Sequence, residues 1–156
     1  MNVQLIPYED KYAADFKRLN LVWLEKYHLL ESHDIEILDN PKAFILDREG
    51  AIYLAQTGET IVGVAALMKE EEGVFELVKL AVDPAWQGKG ISKLLMDKCM
   101  ETARLWNVKK LTLWSNSQLQ VAISLYEKYG FHHVKPENSP YVTANVRMEL
   151  DMKSEV

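Results

Sequence analysis

One stretch of this chain carries residues whose types and spacing suit anion chemistry: Leu80-Ala81-Val82-Asp83-Pro84-Ala85-Trp86-Gln87-Gly88-Lys89-Gly90-Ile91-Ser92. An apolar strand ends at a proline turn, and a glycine-rich loop runs straight into a helical pattern. The first turn of a helix leaves backbone N–H groups without partners and carries about half a positive charge. Gly88 and Gly90 let the main chain close around an anion, while Lys89 and Lys93 add positive charge. The segment reads as a phosphate or pyrophosphate cradle. It contains neither the G-x-G-x-x-G dinucleotide fingerprint nor the G-x-x-x-x-G-K-[ST] phosphate loop. A glycine-containing helix start without a ligand is the alternative.

A second feature is the lone carboxylate in Val74-Phe75-Glu76-Leu77-Val78. Burial in an apolar strand raises a carboxyl toward neutrality, which makes Glu76 the best candidate for a general base. Pairing with Lys79 or another cation, or a solvated place on a strand edge, is the competing reading. Metal chemistry is not expected. His132 and His133 are adjacent on a strand and point to opposite faces, and His28 and His33 lack the spacing of a zinc site. Cys99, the single cysteine, falls on the apolar face of a helix, which disfavours an acyl-cysteine route.

Hydrophobic periodicity supplies the elements that must position these groups. A strand is expected over Val3 to Ile6, then a helix from Glu9 to Leu30 and a shorter one from Asp34 to Asn40. Ala51 to Ala55, Ile61 to Met68 and Val74 to Val82 read as three strands joined by tight turns, hence an antiparallel meander. Ile91 to Trp106 reads as a helix, Leu111 to Trp114 as a strand and Leu119 to Tyr129 as a helix ended by Gly130. Phe131 to Val134 and Tyr141 to Leu150 complete the strands. The order predicts a mixed α/β (α+β) sheet covered by helices, as one domain over residues 1–156.

Composition sets outer bounds. The chain has 156 residues, 48% of them hydrophobic, so it can bury a core without disulfides or metal. Eighteen Lys+Arg against 23 Asp+Glu give a formal charge of -5, the wrong sign for a non-specific nucleic-acid binder. The N-terminus lacks a basic n-region and the longest apolar run is far short of a bilayer span, so no membrane partner and a cytoplasmic location are expected.

Two motifs carry a resemblance. Val82-Asp83-Pro84 followed by Gln87-Gly88-Lys89-Gly90-Ile91-Ser92 resembles the acetyl-CoA loop, [RQ]-x-x-G-x-[GA], of the GNAT family of N-acetyltransferases; Ser92 stands where Gly or Ala is usual. Downstream, Asn116-Ser117-Gln118-Leu119-Gln120-Val121-Ala122-Ile123-Ser124-Leu125-Tyr126-Glu127-Lys128-Tyr129-Gly130-Phe131 is similar to that family's N-x-x-L-x-x-A-x-x-L-Y-x-x-x-G-F. The resemblance covers nearly the whole chain and implies a mostly antiparallel sheet of about seven strands.

It also implies acetyl-CoA as cosubstrate and transfer of acetyl to a primary amine, on a small molecule, peptide or protein, by direct attack in a ternary complex. Such a reaction must deprotonate the amine, which for a lysine-like pKa costs about 4.6 kcal/mol at pH 7. It must also stabilise an oxyanion and protonate the leaving thiolate. The resemblance assigns Tyr126 as general acid and the backbone of Leu80, Ala81 and Val82 to the acetyl and pantetheine arm, at a splay between strands. Asn116 becomes a pantetheine contact, with a strand-end turn as its alternative role. Trp23, Tyr27 and Glu31, with Tyr141, Asn145 and Arg147, border the acceptor pocket by the same resemblance, and core packing competes for Trp23 and Tyr27. Many members form dimers, so a homodimer is left open. Two other readings stay open: a non-catalytic CoA-binding regulatory module, against which Tyr126 argues, and a nucleotide-binding interaction domain.

Overall fold

The computed structural model describes residues 2–152. The sheet is seven-stranded: β1 (Gln4–Pro7), β2 (Ala51–Thr57), β3 (Thr60–Glu71), β4 (Val74–Val82), β5 (Lys110–Ser115), β6 (His132–Val134) and β7 (Val146–Asp151). Their order is β1-β2-β3-β4-β5-β7-β6. Every neighbouring pair is antiparallel except β4 and β5. Pro7 is tolerated because β1 is an edge strand, where a missing N–H breaks no inner ladder.

Helices cover both faces. On one side α1 (Ala13–Lys26) and α2 (Ser32–Asp39) bury Phe16, Leu19, Ile37 and Leu38 against Leu54, Val64, Ala66 and Val78. On the other, α4 (Ile91–Leu105) and α5 (Gln120–Lys128) bury Leu95, Met96, Cys99 and Ile123 against Leu111, Leu113 and Met148. That double cover explains why β3 is buried without alternation from Ile61 to Leu67. The N-terminal end of α4 sits hard on the sheet: a Cβ at Gly63 would lie 2.8 Å from Ile91 Cγ2.

Three expectations need correction. The first helix stops at Lys26, because His28 enters the left-handed region (φ 56°). Its N–H bonds to Glu25 O and that of Leu29 to Leu24 O (2.8 Å), a Schellman closure made without glycine. A further one-turn helix, α3 (Pro41–Phe44), follows α2, with Pro41 in its first turn. Tyr141 to Asn145 form no strand. The carboxylate of Glu31 takes the N–H groups of Val142 (2.8 Å) and Thr143 (2.9 Å), and Thr143 O accepts from Asn116 Nδ2 (2.7 Å). With those main-chain groups satisfied by side chains, residues 139–145 form a strap across the sheet end rather than a ladder.

Candidate active site

The site is made by a break in β4. Val64 faces Ala81 and Ala66 faces Val78, so Lys79 and Leu80 share the single position opposite Ala65. Lys79 takes φ 58°, a left-handed conformation disfavoured for a side-chain-bearing residue, as a bulge can require. The parallel ladder between β4 and β5 ends at Glu76 and Thr112, while β5 continues alongside β7 to Ser115. Beyond Glu76, β4 therefore has a ladder on one side only, and a cleft opens toward β5. The expected splay is present. Of its main-chain groups, Val82 O is occupied, accepting from Trp23 Nε1 (2.8 Å). Leu80 is the residue of the three without a partner in β3.

The loop after β4 begins with Asp83, whose Oδ1 accepts from Ala85 N (2.9 Å) and so fixes the Pro84–Trp86 turn. Gln87 is extended, then Gly88 (φ 75°) and Gly90 (φ 80°) both adopt the left-handed region. No protein atom lies within 4 Å of a Cβ built at either glycine. Backbone conformation thus demands glycine there, and the space above it is open. No side chain caps α4, so the N–H groups of its first turn lack side-chain acceptors. Ile91 is buried in the core, which limits its contribution here to the main chain. Lys89 and Ser92 flank the turn; Lys93 pairs with Asp97 (3.0 Å), whereas Lys89 has no ion pair among the described residues.

A cavity of about 160 Å³ lies in the cleft between α1, β4, β5, α5 and the strap, and Glu76, Leu80, Asn116 and Tyr126 all line it. Glu76 is 7% exposed. Burial, helped by Glu70, pushes its carboxyl up to about 7 against the opposing pull of Arg147 and Lys79. Lys79 does not pair with Glu76; its ammonium is bonded to Asp34. No hydrogen bond or ion pair joins Glu76 to another described side chain. Burial, with a smaller contribution from Cys99, pushes the Tyr126 phenol up to about 12, and its ring lies edge-on to Phe131 (6.1 Å). Asn116 is fully engaged in the turn: Nδ2 bonds Thr143 O, and Oδ1 accepts from Gln118 N (2.9 Å).

The profile described as "Acetyltransferase (GNAT) family" matches residues 14–131. This chain belongs to the GNAT acetyltransferase family. It is 36% identical over 99 residues to N-acetylaspartate synthetase of Rattus norvegicus, covering 63% of this chain and 33% of that protein. It is 40% identical over 72 residues to an uncharacterized N-acetyltransferase of Escherichia coli, covering 46% and 43% respectively. The chain thus spans less than half the length of these relatives. A GNAT acetyltransferase structure from Staphylococcus aureus superposes with a TM-score of 0.89 at 22% identity, covering 97% of this chain and all of that one. A putative acetyltransferase of Salmonella typhimurium, with acetyl-CoA bound, superposes at 0.78 with 18% identity, covering 100% and 97%.

In this GNAT domain the expected residues divide into two groups. Glu76, Leu80, Asn116 and Tyr126 meet at the cavity, whereas Gln87, Gly88, Lys89, Gly90 and Ser92 form the separate loop ahead of α4. Trp23 and Tyr141 also line the cavity; Glu31 holds the strap, and Arg147 bonds Glu70 (3.0 Å). The buried Asp34–Lys79 pair has no signal in the sequence, since its members are 45 residues apart and a lysine in an apolar strand names no partner. Among the described residues no group of three or more His, Cys, Asp or Glu could hold a metal ion, and no helix is long and apolar enough to cross a membrane.

Proposed function

We propose that this protein transfers an acetyl group from acetyl-CoA to a primary amine by direct attack in a ternary complex. The observation that carries the reading is the meeting of a proton acceptor and a proton donor, both raised by burial, in one cavity at the open edge of β4. Glu76 has a carboxyl near neutrality, and Tyr126 has a phenol held protonated. The residues suit the cosubstrate: left-handed glycines under open space, an uncapped helix start and an unpaired strand edge.

Acetyl-CoA supplies an activated acyl thioester. The main-chain N–H groups at Gly88 to Ser92, with Lys89, hold the pyrophosphate, and Gln87 and Asn116 flank its arm. The main chain at Leu80, in the bulge, and at Ala81 and Val82 beside it orients the acyl end. Glu76 accepts the amine proton on its carboxylate; a base at about 7 rather than 4.5 narrows the pKa mismatch with the amine by about 3 kcal/mol. Tyr126 donates its phenolic proton to the departing sulfur. Release of CoA thiol on mixing the protein with acetyl-CoA and a panel of primary amines tests the reading. Amine-dependent release, with calorimetric affinity for acetyl-CoA far above that for ADP, is the expected result. Tight acetyl-CoA binding with no release for any amine would identify a CoA-binding module instead, and equal affinity for ADP would identify a nucleotide-binding domain.

A further inference from the structure

The charge inventory of the cavity names the class of amine it accepts, an inference that rests on the transferase reading above. Three side chains that line it are ionisable in the neutral range or carry a fixed charge: Asp34, Glu76 and Lys79. Asp34 and Lys79 satisfy each other, with side chains 4% and 7% exposed. Asp34 Oδ2 also takes the N–H of Glu31 (3.0 Å), and Lys79 Nζ sits 5.5 Å from the centre of the Tyr141 ring. Arg147, the other cation that acts on Glu76, does not line the cavity; it is stacked over Trp114 (4.6 Å) and bonded to Glu70, and its Nη1 is buried without a hydrogen-bond partner. Glu76 is thus the one charged group lining the cavity that has no ion pair or hydrogen bond among the described residues. Trp23, Leu24, Leu29, Leu77 and Trp114 supply an apolar and aromatic part of the remaining wall, and Asn20, Ser115, Asn116 and Thr143 are its neutral polar members.

An ammonium entering this space neutralises Glu76, and an apolar stem behind it meets apolar walls. A carboxylate entering with it meets no unpaired cation on the cavity wall, loses its water and stands beside Glu76, so it is rejected both by desolvation and by like charge. We propose that the acceptor is a primary amine on an apolar or aromatic stem without a carboxylate, and that Glu76 is the group that excludes α-amino acids. The point separates this chain from the relatives named N-acetylaspartate synthetase, whose named product carries carboxylates.

The test is calorimetric binding at pH 8, where Glu76 is ionised, to the full chain saturated with CoA. Matched pairs are titrated: phenethylamine against L-phenylalanine, tyramine against L-tyrosine, and L-aspartate separately. The amine of each pair is expected to bind at least ~30-fold more tightly than its amino acid, the scale of one unpaired charge near another at a partly buried site. L-Aspartate is expected not to saturate. In Glu76→Gln the gap within each pair narrows, because the repelling charge is gone. Equal or tighter binding of an amino acid or of aspartate overturns the proposal. So does failure of every amine to bind, or a gap that Glu76→Gln leaves unchanged. Selective amine binding without acetyl transfer leaves this inference standing and defeats the transferase reading, so the two fail separately.

Discussion

Replacing Glu76 by Gln tests the electrostatics of the site independently of any substrate. Burial raises this carboxyl from 4.5 to about 7, a difference of about 3 kcal/mol between the two protonation states. The folded chain therefore holds the proton more tightly than the unfolded chain. The sign follows: between pH 4.5 and 7 the native state binds more protons, so stability falls as pH rises through that window and is lowest above it. Glutamine carries no such penalty at any pH. Relative to wild type, Glu76→Gln is expected to gain stability by up to about 3 kcal/mol between pH 4 and pH 8, which for a domain of this size is about 6–12 °C in Tm. Any fixed difference in hydrogen bonding or packing of the amide adds equally at both pH values and cancels. Thermal melts of both proteins at pH 4, 6 and 8 measure it. A Tm difference independent of pH would mean that Glu76 is solvated in the native state, and its assignment as base would lose its physical basis. The same variant should lose most of its acetyl transfer, so stability and activity move in opposite directions.

Tyr126→Phe keeps the ring against Phe131 and removes the proton; kcat should fall about a hundredfold or more with little change in Tm, as read by steady-state kinetics and melting. Gly90→Ala places a Cβ in the left-handed region and should cost about 1 kcal/mol while raising KM for acetyl-CoA, measurable by urea unfolding and initial rates. Asp34→Asn strands the Lys79 ammonium in the cavity wall; loss of about 3–5 kcal/mol in urea unfolding is expected, and a loss under 1 kcal/mol would show that solvent reaches Lys79 freely.

Much of this fold could be read from local pattern. The bounds of β4 at Val74 and Val82 follow from an apolar run between a glycine turn and Asp83-Pro84, and α4 follows from its amphipathic face. Glu76 could be read as a tuned carboxylate because the apolar residues around it in its own strand already mark a buried run. What escaped depended on partners distant in sequence. The apolar residues of 141–150 suggest one strand, yet the first part is held by Glu31 from more than a hundred positions away. The helix end at His28 carries no glycine to announce its left-handed turn, and Lys79 shows no local sign that it occupies a bulge. Asn116 is matched by the family motif, but its amide is spent on the strap and the following turn.

The single parallel junction has a mechanical consequence. Three residue pairs, Val74 to Glu76 with Lys110 to Thr112, stitch the N-terminal meander to the C-terminal strands. Past that seam no ladder joins the two halves of the sheet, so prising them apart there breaks no inter-strand pairing. Compliance is concentrated at the edge proposed to take the arm of acetyl-CoA, and the stiffness of β3, paired on both sides and buried on both faces, is left intact. The sheet behaves like a book with a short spine, which opens at one edge at the cost of packing and of the side-chain clasps of Glu31 on the strap and Glu70 on Arg147.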